Sequence, residues 1–297
     1  MRVVITGGGG QLARELAQSA PRNLTVHSLD RGECDITQRS EIQKAFGKLG
    51  PDLVINAAAF TAVDEAEAQK ERAFAVNKGG ARNVAEACAS VGATLIQIST
   101  DFVFDGMRST PYPVDAAPSP INVYGESKLG GEEAVRSSSA SYVILRCGWL
   151  YSAMPGNFLT KMLGHMQSHR SLRVVDDQVG VPTNAADVAQ VIWWCAGATA
   201  SVRNSVLHWA SAGSASRYEF AIAIQEFALE AGLVDVKGAV FPIRTSQYSA
   251  AARRPRYSVL DASGTWRAMG RTPPHWRVPL ANTIASMASS TRAQRTS

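Results

Sequence analysis

Cysteine is sparse and scattered: Cys34, Cys88, Cys147 and Cys195 lie far apart, with neither metal-ligand spacing nor the density of a disulfide framework. Each is read as a small buried side chain, so no metal is expected. Long apolar runs are also missing. None approaches the ~20 residues that cross a bilayer, so a membrane is not an expected partner. The opening Met-Arg-Val-Val-Ile-Thr-Gly reads as a strand and not as a charged leader with an apolar stretch and a cleavage site. A reducing cytoplasm fits these absences. Charge of one sign is modest, with a net of +5. No basic stripe interleaved with aromatics and no zinc-finger spacing is present, so nucleic acid is not an expected partner either. The tightest basic cluster, Arg253, Arg254 and Arg256, is a solvated face or a phosphate contact, since guanidinium forks match phosphate oxygens. No internal repeat is evident. At 45% apolar residues, the 297-residue chain has ample material for a core.

What is present is an alternation. Strand-like apolar runs at 2–6, 24–29, 52–56, 93–98 and 142–146 are separated by helical patterns, one running to about 19 and others at 41–49, 66–91 and 123–135. The long pattern at 66–91 is interrupted by Gly79-Gly80. Strands alternating with helices predict a parallel sheet covered on both faces. After Trp149 the rhythm loosens: helical patterns at 158–168, 185–195, 216–231 and 280–287, with a short strand at 173–175. The expected division is a nucleotide-binding domain over 1–150, to which segments around 173–200 return, a smaller lobe over 151–290, and a disordered tail at 291–297.

Gly7-x-x-Gly10-x-x-Ala13 follows the first strand and opens a helix. Glycines permit a tight turn and close backbone approach, and a helix start offers unpaired N–H groups and a positive dipole end to a pyrophosphate. Gly-Lys-Ser/Thr is absent, which argues against an ATP-hydrolysing loop. Asp30 stands about 20 residues on, where a carboxylate bonds a ribose 2′-OH and favours NADH; adjacent Arg31 suits a 2′-phosphate and NADPH. Both cofactors stay open.

The strongest chemical signal is Tyr124-x-x-x-Lys128, preceded by Ser99-Thr100-Asp101 at the end of a strand. Residues four apart share a helix face. A free phenol ionises near pH ~10, and a nearby ammonium is expected to draw that value down toward the working range. The hydroxyls of 99–100 fall at the carboxyl end of their strand, where open α/β sheets bind ligands. Tyr-x3-Lys alone is common on surface helices; the strand and glycine loop before it lift it above chance. A hydroxyl, a phenol and a lysine so placed suit carbonyl reduction.

These motifs resemble the extended short-chain dehydrogenase/reductases and, more closely, the dTDP-4-dehydrorhamnose reductase family, over nearly the whole chain. Carrying the resemblance are Gly-Gly-Gly-Gly-Gln-Leu at 7–12, Asn-Ala-Ala-Ala-Phe-Thr-Ala-Val-Asp at 56–64 and Ser-Thr-Asp-Phe-Val-Phe-Asp-Gly at 99–106. Pro-Ile-Asn-Val-Tyr-Gly-Glu-Ser-Lys-Leu-Gly-Gly-Glu at 120–132, Arg146-x-x-Trp149, Asn157-Phe158 and Asp-Gln-Val-Gly-Val-Pro-Thr at 177–183 complete it. The resemblance implies a Rossmann-type doubly wound parallel sheet with a smaller C-terminal α/β substrate lobe. It implies a catalytic set of Thr100, Tyr124 and Lys128. Gly7, Gly10, Gln11 and Leu12 would meet the cofactor pyrophosphate, Asp30, Arg31, Asp35 and Ile36 its adenosine end, and Ala57, Ala58 and Ala59 its flank. Asp101, Trp149, Asn157 and Arg254 would join Thr100 against the sugar, and Asn77 would orient a water behind the lysine.

The implied reaction is reduction of the C4 ketone of a dTDP-4-keto-6-deoxysugar, dTDP-4-dehydro-β-L-rhamnose first, with NADPH or NADH. Another 4-keto sugar, an epimerase or dehydratase, and a non-catalytic NADP-binding regulatory subunit are the alternatives. Dehydratases of this kind place Asp-Glu after the active-site Thr, whereas this chain has Thr100-Asp101-Phe102. Some members dimerise through acidic residues around magnesium. Glu15 is in place, but 185–186 and 284–287 hold no carboxylate, so a monomer or a dimer not bridged by magnesium is expected.

Overall fold

The computed structural model describes residues 1–296. Six strands build its central sheet: β1 (Arg2–Thr6), β2 (Thr25–Leu29), β3 (Leu53–Asn56), β4 (Thr94–Thr100), β5 (Ser141–Cys147) and β6 (Ser205–His208). They lie in the order β6-β5-β4-β3-β1-β2, every neighbouring pair parallel. Strands this rich in Val, Ile and Leu are suited to burial on both faces. Successive side chains point to opposite sides: Val3 and Ile5 pack with Leu16, Val188 and Ile192, while Val4 packs with Ile42, Phe46, Val84 and Cys88. Helices Gln11–Gln18 and Ala185–Gly197 thus cover one face, and Arg39–Leu49, Ala81–Val91 and Val123–Arg136 the other. The strand order reverses between β1 and β3, which opens a crevice at their carboxyl ends.

A second core gathers Tyr151, Leu159, Phe220, Ile224, Trp276 and Leu280. It lies among helices Phe158–Ser168, Arg217–Glu230 and Arg277–Thr296. Helix Arg217–Glu230 begins at a capping box in which Ser216 and Glu219 satisfy each other's backbone N–H groups.

Three segments differ from the sequence expectation. The stretch around 173–200 divides. Ser171–Val175 pairs in parallel with Ala239–Ile243, outside the central sheet, because both strands edge the second core through Val174, Leu172 and Val240. Helix Ala185–Gly197 packs on the first core, and the strand that completes the sheet comes later, as β6. The tail assigned to 291–297 continues the last helix through Thr296, and Ser297 lies outside the described residues. Hydroxyls of Ser289, Ser290 and Thr291 bond back to carbonyls four residues earlier, and Arg292 reaches the Ala231 carbonyl at 3.0 Å. The long pattern at 66–91 breaks into Val63–Ala68, Lys70–Phe74, a π-helical turn Ala75–Gly80 and Ala81–Val91. The wide turn carries Asn77 against helix Val123–Arg136, where a Cβ on Gly131 would overlap the Asn77 carbonyl. Only glycine lets those two backbones meet.

Candidate active site

The crevice at the reversal is a cleft of about 880 Å³. One end is the glycine loop. Gly7 has φ +77°, and a Cβ there would come within 2.7 Å of the Ala58 backbone. Gly10 precedes helix Gln11–Gln18 in extended conformation, with no side chain capping the helix and no acidic residue in its first turn. The first-turn N–H groups are therefore left for an anion, so this end fits a dinucleotide pyrophosphate. Beyond it, Asp30 Oδ1 accepts the N–H groups of Gly32 (2.7 Å) and Glu33 (3.1 Å), and Arg31 Nε pairs with Asp35 at 3.0 Å. Gln11, Leu12, Ile36 and Ala57–Ala59 line the same wall.

The chemical centre is a ladder between β4 and helix Val123–Arg136. Asn122 starts that helix by accepting the Gly125 N–H at 2.8 Å, and its own amide donates to the Arg253 carbonyl at 2.7 Å. Three helix residues spaced by four then meet three consecutive residues of β4. The Tyr124 phenol stands beside the Thr100 hydroxyl, which partly opposes the rise of its pKa. Lys128 Nζ donates to the Ile98 carbonyl at 2.6 Å. Ser99 Oγ donates to Glu132 at 2.5 Å. The Ile98 carbonyl also accepts from Gln97 (3.0 Å), whose side chain accepts from Asn56 (2.8 Å), which accepts from Thr6 (2.7 Å). A polar chain thus runs across the sheet from the strand before the glycine loop to the lysine. Behind the third rung, Arg146 grips Glu132 with two bonds of 2.8 and 2.7 Å, both side chains being buried, and Arg146 lies 3.4 Å from His208 Nε2.

Burial decides the protonation states here. It pushes the Tyr124 phenol well up, against the Thr100 hydroxyl, with Asp101 and Cys147 adding in the same direction. It pulls Lys128 down to about 8, with Cys147 and Glu132 opposing. The lowering of Tyr124 that the spacing predicts is not seen, because burial dominates; the Lys128 ammonium donates to the Ile98 carbonyl. The phenol is instead a protonated acid poised to donate. The Asn77 amide bonds both backbone groups of Phe60 (2.8 and 3.0 Å) and Ser127 (2.9 Å), which ties its turn to the helix of Tyr124 and Lys128.

At the far end, Asp101 is buried beside Thr100, whose hydroxyl donates to Oδ1 at 3.0 Å, while Oδ2 lacks a hydrogen-bond partner of good geometry among the described residues. Burial raises its carboxyl to about 6, partly offset by neighbouring hydroxyls and Arg217. Trp149 takes a left-handed φ of 50° directly after Gly148, where a Cβ would overlap the Asp101 carboxyl. Asn157 lines the cleft but serves its own turn, donating to the Ser152 (2.9 Å) and Met154 (2.6 Å) carbonyls and capping the helix at Thr160. Of the predicted site residues, Asn77 lies outside the lining, and so does Arg254. Its guanidinium is bound to Asp64 at 2.5 and 3.1 Å. Arg217 was missed by sequence reasoning. It lines the cleft with its guanidinium 3.5 Å above the Trp149 ring. The signal was its place one residue after the Ser216 cap, which put it in the first turn of a helix facing the crevice.

A family model described as RmlD substrate binding domain matches residues 1–289. A Mycobacterium tuberculosis dTDP-4-dehydrorhamnose reductase is 40% identical over 301 residues, covering 99% of this chain and 96% of the relative. A Streptomyces niveus dTDP-4-keto-6-deoxy-D-glucose reductase is 38% identical over 285 residues, covering 94% and 95%. The crystal structure of dTDP-4-dehydrorhamnose reductase from Bacillus anthracis in complex with NADP matches with a TM-score of 0.90 at 35% identity, covering 96% of this chain and 99% of that one. Likeness of this depth along the whole length, on a cleft that joins a pyrophosphate-ready glycine loop to a Thr-Tyr-Lys ladder, places the chain in the dTDP-4-dehydrorhamnose reductase family.

Proposed function

We propose that this protein reduces the C4 ketone of dTDP-4-dehydro-β-L-rhamnose to dTDP-L-rhamnose, using NADPH or NADH. The observation that carries the reading is the ladder: a protonated phenol against Thr100, with a lysine fixed one turn away, at the mouth of a dinucleotide cleft. The reduced nicotinamide supplies the hydride that the ketone carbon accepts. Tyr124 gives its phenolic proton to the oxygen as charge builds there. The Thr100 hydroxyl turns from Asp101 to hold that oxygen, a bond that strengthens toward the transition state. Lys128, mostly ammonium at neutral pH with its value near 8, holds the nicotinamide ribose from its seat on the Ile98 carbonyl.

Gly7, Gly10, Gln11 and Leu12 receive the pyrophosphate in this reading, and Asp30, Arg31, Asp35, Ile36 and Ala57–Ala59 the adenosine side. Asp101 faces the sugar, and Trp149 reaches that end of the cleft beneath Arg217. Arg254, clamped to Asp64, acts by holding the 251–256 segment. The protein works in the cytoplasm as a monomer or as a dimer without a magnesium bridge. Replacing Tyr124 by Phe removes the acid alone. Turnover should fall by roughly 10²–10⁴, the usual contribution of a general acid, with NADPH affinity preserved. Unchanged turnover in Tyr124→Phe would refute the reading.

A further inference from the structure

Arg217 is a cation without a counter-ion in a cleft. Its guanidinium has no hydrogen-bond acceptor and no ion-pair partner among the described residues; its contacts are two aromatic rings, Trp149 at 3.5 Å and Phe158 at 5.2 Å. Burial pulls it down to about 9, and the neighbouring Arg254 adds to the repulsion. The nearby carboxylate, Asp101, raises it but lies beyond ion-pair distance and keeps one oxygen without a hydrogen-bond partner of good geometry among the described residues. Arg254 is itself satisfied by Asp64. A guanidinium left in this state is costly unless a ligand supplies an acceptor.

Shape points the same way. The indole beneath is fixed: Gly180 packs against it so closely that a Cβ there would overlap the ring nitrogen and Cε2. Arg217 covers the ring, so the surface presented to the cleft at this point is the guanidinium fork and not an open aromatic face. A planar fork with free N–H groups, backed by a second guanidinium, selects a bidentate oxyanion. The cofactor pyrophosphate already has its seat at the opposite end, on the glycine loop.

We propose that Arg217 binds the diphosphate of the nucleotide-sugar substrate and fixes the distance from that diphosphate to the Thr100–Tyr124 centre. The inference rests on the functional reading above. Stacking on Trp149 holds the fork flat before the ligand arrives, and Asp101 is left to accept a sugar hydroxyl.

The test is calorimetric binding of dTDP and of thymidine to the purified full-length protein with NADPH bound, comparing wild type with Arg217→Met and Arg217→Lys. Loss of a charged fork should weaken dTDP by about ten- to a hundredfold in Arg217→Met, with thymidine and NADPH affinities unchanged. Arg217→Lys, a point charge without the fork, should fall between. Because an unpaired buried cation is removed, Arg217→Met should melt at or above the wild-type temperature. Equal dTDP affinity in Arg217→Met, equal weakening of dTDP and thymidine, or a lower melting temperature each overturns the inference, the last two by showing a structural role. Wild-type protein that neither binds dTDP nor turns over any dTDP-sugar overturns the functional reading itself, and the inference with it.

Discussion

Glu132→Gln removes one charge from the ladder with little change of shape, and its cost can be worked out from the contacts. Glu132 and Arg146 are 0% and 1% exposed and share two short bonds. Taking away the carboxylate leaves Arg146 charged and buried with a neutral amide in place of its counter-ion, beside the Phe104 ring at 5.2 Å and the His208 nitrogen at 3.4 Å. Breaking a buried pair in this way costs about 3–5 kcal/mol. For a chain of this size that corresponds to a melting-temperature drop on the order of 10 °C. The exposed pair Arg39–Glu86, with side chains 64% and 38% accessible, is the control, and Glu86→Gln should cost at most ~1 kcal/mol. The double replacement Glu132→Leu with Arg146→Met swaps the pair for apolar groups and should recover most of the stability. It should still lose turnover, because Ser99 no longer has an anchor beside Thr100. Thermal melts followed by circular dichroism, alongside initial rates, compare the four proteins. A Glu132→Gln melt close to that of wild type, or one matched by Glu86→Gln, would refute the argument.

Two further predictions concern pH. In kcat/KM, which reports the free enzyme, activity should fall on the basic side with an apparent value near 8 as Lys128 loses its proton; Lys128→Arg should move that limb to higher pH, and a limb unmoved would assign it elsewhere. Since the Lys128 value is lowered in the folded state, its cost to stability is full below pH 8 and is relieved as pH rises from 8 toward 10.5. Asp101 has the opposite charge and a raised value, so folding loses stability as pH rises from 3.8 to 6 and bears the whole cost above that. Asp101→Asn should therefore melt higher than wild type at pH 8, by up to roughly 3 kcal/mol, with the gain vanishing near pH 4 and turnover reduced. A gain that is the same at both pH values would contradict the assigned burial cost.

The alternation of strands and helices through Arg146 was legible because those strands are unbroken apolar runs and the helices carry clear starts, such as Asn122 before Val123. The cleft was legible for a related reason: glycine spacing and a Tyr-x3-Lys pattern are local, and one helix turn or one loop fixes their geometry. What escaped depends on contacts distant in sequence. The low Lys128 and high Tyr124 follow from burial under residues of β4 and β5, and only the folded chain shows the lysine turned to the Ile98 carbonyl. Arg217 stands 68 positions from the Trp149 it covers (217 − 149), and the Ser216 cap before it fixes its place in a first helical turn but not what its side chain will meet. The Arg254 guanidinium looked free in a basic cluster, but Asp64 occupies it from the other half of the chain. The helical tail was hidden by its Ser and Thr content, since hydroxyls that usually disfavour helix interiors here return their bonds to the same helix.

The central claim is met most directly by following NADPH and NADH absorbance with purified protein and enzymatically generated dTDP-4-dehydrorhamnose, and by identifying the product by NMR. The account predicts substrate-dependent oxidation with dTDP-L-rhamnose as product, and the two rates decide between the Asp30 and Arg31 readings of the cofactor. No oxidation by protein that still binds the dinucleotide, or a product with the other configuration at C4, would contradict it.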